Sequence, residues 1–117
     1  MRTEELKLRT KQFALRVIKL VETLPKNKIG DGLGKQLRRS ATSVDANYRA
    51  ACRARSKADF ISKIAIVEEE ADESLFWLEL IAESGLMNTE RLKDLTKEAD
   101  ELTAIFTATG KTAKQNR

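Results

Sequence analysis

The stretch SKADFISKIAIVEEEADESLFWLELIAESG, residues 56–85, decides the architecture. Between Ser56 and Gly85 it holds no proline and no further glycine, and its apolar residues return every three or four positions. Phe60, Ile64, Val67, Ala71, Leu75, Leu78 and Ala82 make one stripe, which predicts a helix over about Lys57–Ser84. Ser56 with Asp59 resembles a capping box at its start. Gly85 supplies the left-handed residue that ends it.

The rest of the chain repeats this pattern on both sides. Leu6, Phe13, Val17, Leu20 and Leu24 predict a first helix from about Thr3 to Leu24, stopped by Pro25 and the loop PKNKIGDG. Asp31 is the expected cap of a second helix whose stripe is Leu33, Leu37, Ala41, Val44, Tyr48 and Ala51. Continuing that turn would bury Arg55, so a bend or break is expected near Arg53–Ser56. Asn88 or Thr89 caps a fourth helix carrying Leu92, Leu95, Ala99, Leu102 and Phe106, with Gly110 closing it. The expected fold is all-α: an antiparallel up-down four-helix bundle over residues 1–110, followed by a frayed tail at 111–117.

Two outer faces are not polar. Ile66, Trp77 and Leu80 lie roughly opposite the inner stripe of the third helix, and Leu8 and Leu15 stand similarly on the first. A lone surface helix should be polar there, so these residues predict contacts between copies of the chain.

Composition narrows the function. The 117 residues are 41% hydrophobic and 34% charged, in the range of a folded globular chain. Charge is unevenly placed, with 16 Lys/Arg against 6 Asp/Glu in residues 1–63 and 6 against 12 in residues 64–117. Such a basic half attracts phosphate or an acidic protein surface, or is neutralised by the acidic half within or between subunits. Cys52 is the one cysteine and there is no histidine, so neither a disulfide framework nor a Cys–His or Ser–His nucleophile is available. There is also no Gly-x-Ser-x-Gly turn and no glycine-rich phosphate loop. No enzymatic activity and no cofactor are expected. The opening MRTEELKLRTKQ has no signal-peptide core and no apolar run reaches membrane length, so a soluble cytoplasmic protein without a membrane partner is expected.

The basic residues concentrate in QLRRSATSVDANYRAACRARS, residues 36–56. Lys35, Arg38, Arg39, Arg49, Arg53 and Lys57 lie roughly opposite the core stripe of the second helix, with Arg55 close by. Small residues Thr42 and Ala46 between them leave room for close approach. Long cations on one rigid face can track the phosphates of RNA or DNA, and without aromatics there is no platform for stacking bases. A solvated face, or one that docks a protein, fits the same residues.

EADE occurs twice, at Glu70–Glu73 and Glu98–Glu101. Paired carboxylates on adjacent helices are one way to hold Mg²⁺, and the arrangement resembles all-α nucleoside-triphosphate pyrophosphatases. Glu101 departs from that pattern, which has aspartate there. Glu73 also falls on the outer face with Trp77, so a solvated face is the expected reading and no metal site is assigned.

The chain resembles the bacterial four-helix-bundle family also called 23S rRNA intervening-sequence proteins. The resemblance rests on Leu24-Pro25, on Gln36-Leu37-Arg38-Arg39-Ser40-Ala41, on Ser43-Val44 and Ala46-Asn47, and on Ser56 with Asp59-Phe60. It covers roughly residues 6–106. Many relatives follow the Ala-Asn pair with Ile-Ala-Glu-Gly and a later Gly-Arg, where this chain has Tyr48-Arg49-Ala50-Ala51-Cys52-Arg53-Ala54-Arg55. The resemblance implies an antiparallel bundle assembling as a homo-pentameric ring. It also implies kinship with the accessory variability determinant of diversity-generating retroelements, a basic pentamer that binds a reverse transcriptase and nucleic acid.

Overall fold

The computed structural model describes residues 1–116 and contains four helices: α1 Thr3–Glu22, α2 Lys28–Ala51, α3 Lys57–Glu83 and α4 Thr89–Gln115. Residues 23–27, 52–56 and 84–88 connect them, so consecutive helices run antiparallel. The bundle measures 49 × 20 × 20 Å. α2 packs closely on α1 and α3, and α3 on α4, while the α1 and α4 backbones approach only sparsely and the diagonal pairs α1/α3 and α2/α4 meet through side chains alone, as Tyr48 and Phe106 do. No helix among the described residues is long and apolar enough to cross a membrane.

One spacing rule organises the core. Besides Ala14 and Ser40, which flank the seam, buried positions run 6, 10, 13, 17, 20, 24 on α1 and its exit, 30, 34, 37, 41, 44, 48, 51 on α2, 64, 67, 71, 74, 78, 81 on α3, and 92, 95, 99, 102, 106 on α4. Each series alternates steps of three and four, the seven-residue repeat that keeps a seam facing its neighbours when helices cross at about 20°. Phe13, Leu37, Ile64, Leu78, Leu102 and Phe106 are wholly buried along these seams. The Tyr48 and Phe106 rings pack with centroids 5.3 Å apart.

The repeat corrects the stripe expected on α3. Ser74 and Ile81 are fully buried, whereas Phe60, Leu75 and Ala82 are half-buried. Ser74 enters the seam because its hydroxyl is satisfied there, donating to Ser40 Oγ and to the Glu70 carbonyl, both at 2.9 Å. A buried hydroxyl with partners costs little, and its small size lets α2 and α3 approach.

Helix ends follow local chemistry. α2 starts three residues before Asp31: the Asn27 side chain accepts the Gly30 N–H at 2.8 Å and is the cap. A Cβ on Gly30 would lie 2.1 Å from the Pro25 carbonyl oxygen, so only glycine lets the incoming loop fold over this turn. α2 ends at Ala51, and the chain turns through residues 52–56 without a glycine. Ser56 Oγ accepts the Asp59 N–H at 3.0 Å while Asp59 Oδ2 accepts the Arg55 N–H at 3.2 Å, so the expected capping pair forms. Gly85, at φ 78°, ends α3 as expected, and Asn88 caps α4 by accepting the Glu90 N–H at 2.8 Å. Gly110 does not close α4. It lacks a positive φ, and the helix runs on to Gln115, so residues 111–115 are helical.

Met1 and Asn116 both lie at the pole that carries the 52–56 turn. Met1 lines a cleft with Cys52, Ala54 and Ser56, and another with Asn116. At the opposite pole an Arg91 guanidinium N–H donates to Thr23 Oγ1 at 3.3 Å.

Candidate nucleic-acid interface

The outward face of α2 is a row of cations on a rigid support. Lys35, Arg38, Arg49 and Arg53 are all exposed and make no side-chain ion pair among the described residues. From Lys35 to Arg53 the row spans about 27 Å at 1.5 Å per residue. Arg55 and Lys57 extend it around the 52–56 turn, both exposed. That turn is held by Asp59, whose carboxylate is kept below its ordinary range first by Lys63 and then by the Arg55 backbone N–H. Arg49 stands in the last turn of α2, where the negative end of the helix dipole favours a cation.

Three further features border the row. Lys28 sits one heptad before Lys35 and continues it. Between α1 and α2 a cleft of about 330 Å³ carries Lys26, Lys35 and Arg38 together with Glu22 and Asp31, so this end is of mixed charge. Tyr48, the aromatic of α2, is buried, and the face has no stacking surface.

Arg39 does not belong to the row. Its guanidinium crosses to α3, donating from Nη1 to Glu70 Oε2 at 2.9 Å and from Nη2 to Glu73 Oε1. These partners raise its already high pKa, and Glu73 is held below the usual carboxylate range by Arg39 and then by Trp77. Arg39 is therefore spent within the bundle, and its sequence position beside Arg38 gave no sign of this. Its position on α2 is outermost, so it is the reach of the guanidinium back to α3, not its place on the helix, that removes it from the row.

The second EADE is closed in the same way. Arg9 of α1 donates from Nε to Glu98 Oε2 at 2.7 Å, and from Nη2 to Glu98 Oε1 at 2.6 Å and Glu101 Oε1 at 2.7 Å. Both carboxylate pairs thus hold a guanidinium, and no group of three or more acidic or thiol side chains among the described residues is arranged to hold a metal ion. The magnesium alternative has no geometric support.

The outer apolar faces are also redrawn. Leu8 is 57% exposed, Leu15 52%, Ile66 41% and Leu80 37%, as expected for outward residues. Trp77 is not outward. It is half-buried against the core, and its indole N–H donates to Glu73 Oε1 at 3.1 Å. The outward aromatic is its neighbour Phe76, 51% exposed and set edge-on to the indole with centroids 4.8 Å apart. Counted from the seam, Phe76 stands opposite the core and Trp77 on its flank, a distinction that the seven-residue repeat contains and a simple stripe does not.

Comparisons with known proteins agree with the four-helix fold. A family model described as the 23S rRNA-intervening sequence protein matches residues 4–108. A crystal structure of a protein of unknown function from the S23 ribosomal protein family of Bacteroides thetaiotaomicron is 32% identical. It superposes with a TM-score of 0.87 over 95% of this chain and 99% of its own. No curated protein matches the chain.

Proposed function

Because the chain belongs to the 23S rRNA-intervening sequence protein family, whose model spans all four helices, we propose that it is a non-enzymatic homo-oligomer that binds RNA or DNA through backbone phosphates. The observation that carries this reading is the set of exposed cations Lys35, Arg38, Arg49 and Arg53 along α2 and its exit, continued by Arg55 and Lys57. Each of these cations faces solvent without an acidic partner, so a phosphate can pair with it at no cost in broken ion pairs. Arg39 is withdrawn from the set. A pentameric ring, which the family resemblance implies, would repeat the row five times and convert weak contacts into avid binding. The work would lie in the cytoplasm, where nucleic acid is accessible and the lone Cys52 stays reduced.

Titration of a duplex and a single strand, each as RNA and as DNA, at rising salt tests the reading. Binding should weaken steeply with salt, with a log–log slope near −0.9 per phosphate contacted on a duplex. Arg38→Glu with Arg49→Glu should weaken binding equally across sequences and flatten that slope. Absence of binding at low salt overturns the proposal. A second reading, in which the same region docks an acidic protein, is favoured by Ile29, 63% exposed beside Lys28, since an apolar side chain suits a protein better than a phosphate chain. A partner protein retained after nuclease treatment, with no nucleic acid binding, would decide for it.

A further inference from the structure

We propose that the cleft at the pole of the 52–56 turn takes one nucleoside monophosphate unit, its base among neutral hydroxyls and its phosphate on Arg53, Arg55 and Lys57. The inference deepens the preceding reading by naming the unit recognised, and it rests on that reading for those three cations. Three observations carry it. The first is the space. Two clefts of about 630 and 390 Å³ share Leu6, Phe60 and Thr109, each in the size range of small-molecule sites. No charged side chain among the described residues lines either one.

The second is Tyr48. Its ring packs on Phe106, and the residue is only 5% exposed. Its hydroxyl stands near the Thr3 hydroxyl and the Cys52 thiol in the smaller cleft, yet makes no hydrogen bond among the described residues. No fully buried side-chain oxygen lacks a partner, so this one opens into the cleft. Ser56 and Thr109 add hydroxyls beside it, and half-buried Phe60 adds aromatic surface. An aliphatic chain seated here would leave the hydroxyls unpaired. A heteroaromatic base offers donors and acceptors along its edge and a face for Phe60.

The third is charge. Cys52, Ala54 and Ser56 line the cleft, and the residues alternating with them, Arg53, Arg55 and Lys57, are exposed at its mouth. The acidic side chains in the helix turns at this pole are already engaged, Glu4 by Lys7, Glu5 by Arg2 and Asp59 by Lys63. Unpaired cations beside an uncharged cleft match a neutral base that carries a phosphate.

The chain has one cysteine, so the rate of Cys52 alkylation reports on the cleft and tests the inference. Nucleoside monophosphates should slow the reaction, while inorganic phosphate, decanoate and a blunt duplex should not. Tyr48→Phe keeps the ring and removes the hydroxyl. It should weaken nucleotide binding about tenfold in equilibrium dialysis, as for one lost hydrogen bond. Ala54→Phe should fill the cleft and abolish binding, and unchanged circular dichroism separates a blocked site from a lost fold. Protection by an oligonucleotide with an unpaired end at far lower concentration than by free nucleotides supports the site and identifies its source as a strand. Equal protection supports the site and identifies a free nucleotide. Absence of protection by any nucleotide, protection by decanoate in their place, or nucleotide binding unchanged in both folded variants overturns the proposal. A duplex that binds without any nucleotide protection ends the cleft proposal alone, and protection without duplex binding ends the phosphate row alone.

Discussion

The two EADE segments are identical in sequence and occupy the same positions of the seven-residue repeat, yet their arginine clamps differ. Arg9 reaches Glu98 from a position beside the α1 seam, and the pair is mostly shielded, with side chains 24% and 15% exposed. Arg39 starts from the outermost position of α2 and arches back over the surface to Glu70 and Glu73, remaining 50% exposed. The neighbourhoods differ as well. The Arg39 clamp lies over the tight α2–α3 contact, where Ser40 and Ser74 already bring the helices together. The Arg9 clamp bridges α1 and α4, which otherwise barely touch. The same carboxylates thus join a loose boundary in one place and decorate a tight one in the other. An ion pair is worth most where it is shielded and has little packing to help it.

This contrast makes three predictions of decreasing size. Arg9→Ala should destabilise the fold by about 1–3 kcal/mol, because it strands the shielded Glu98 beside Glu101. Denaturant unfolding measures the loss, and hydrogen exchange should show α1 and α4 opening first. Arg39→Ala should cost less than about 1 kcal/mol, as expected for an exposed pair over a packed boundary. Equal losses in the two variants would dissolve the distinction. The smallest effect is local and pH-dependent. Glu73 is held below its ordinary value of 4.5, so the stabilisation from its charged form is complete at neutral pH. It fades as the pH falls below about 4.5 and through the depressed value. Because Glu73 also accepts the indole N–H of Trp77, fluorescence should follow this loss, and Arg39→Ala should move the change to higher pH.

The sequence made the long elements readable because their signals are local. Ser56, Gly85 and Asn88 act on the next one to three residues, and each sits where its chemistry places it. Asn27 escaped notice because Gly30, Gly32 and Gly34 make the following turn look like a loop. What makes that turn helical is a carbonyl arriving from Pro25, which local propensity does not report. On α3 the polar Ser74 disguised a three–four alternation, and the resulting drift exchanged the roles of Phe76 and Trp77. The candidate basic row was legible for Lys35, Arg38 and Arg49 from helical spacing, and for Arg53, Arg55 and Lys57 from the break expected near Arg53–Ser56. Arg39 was not, because its partners lie 31 and 34 residues away in sequence, and only packing α2 on α3 brings them within reach.

The meeting of Met1 and Asn116 near the 52–56 turn has a practical side. A label attached at Met1 or Asn116 sits at the pole of Arg53, Arg55 and Lys57, and crowds what those residues would touch. Residues 23–27 and 84–88 lie at the far pole, about 40 Å away along a 27-residue helix. A fluorophore or surface anchor placed there would leave the basic turn unobstructed.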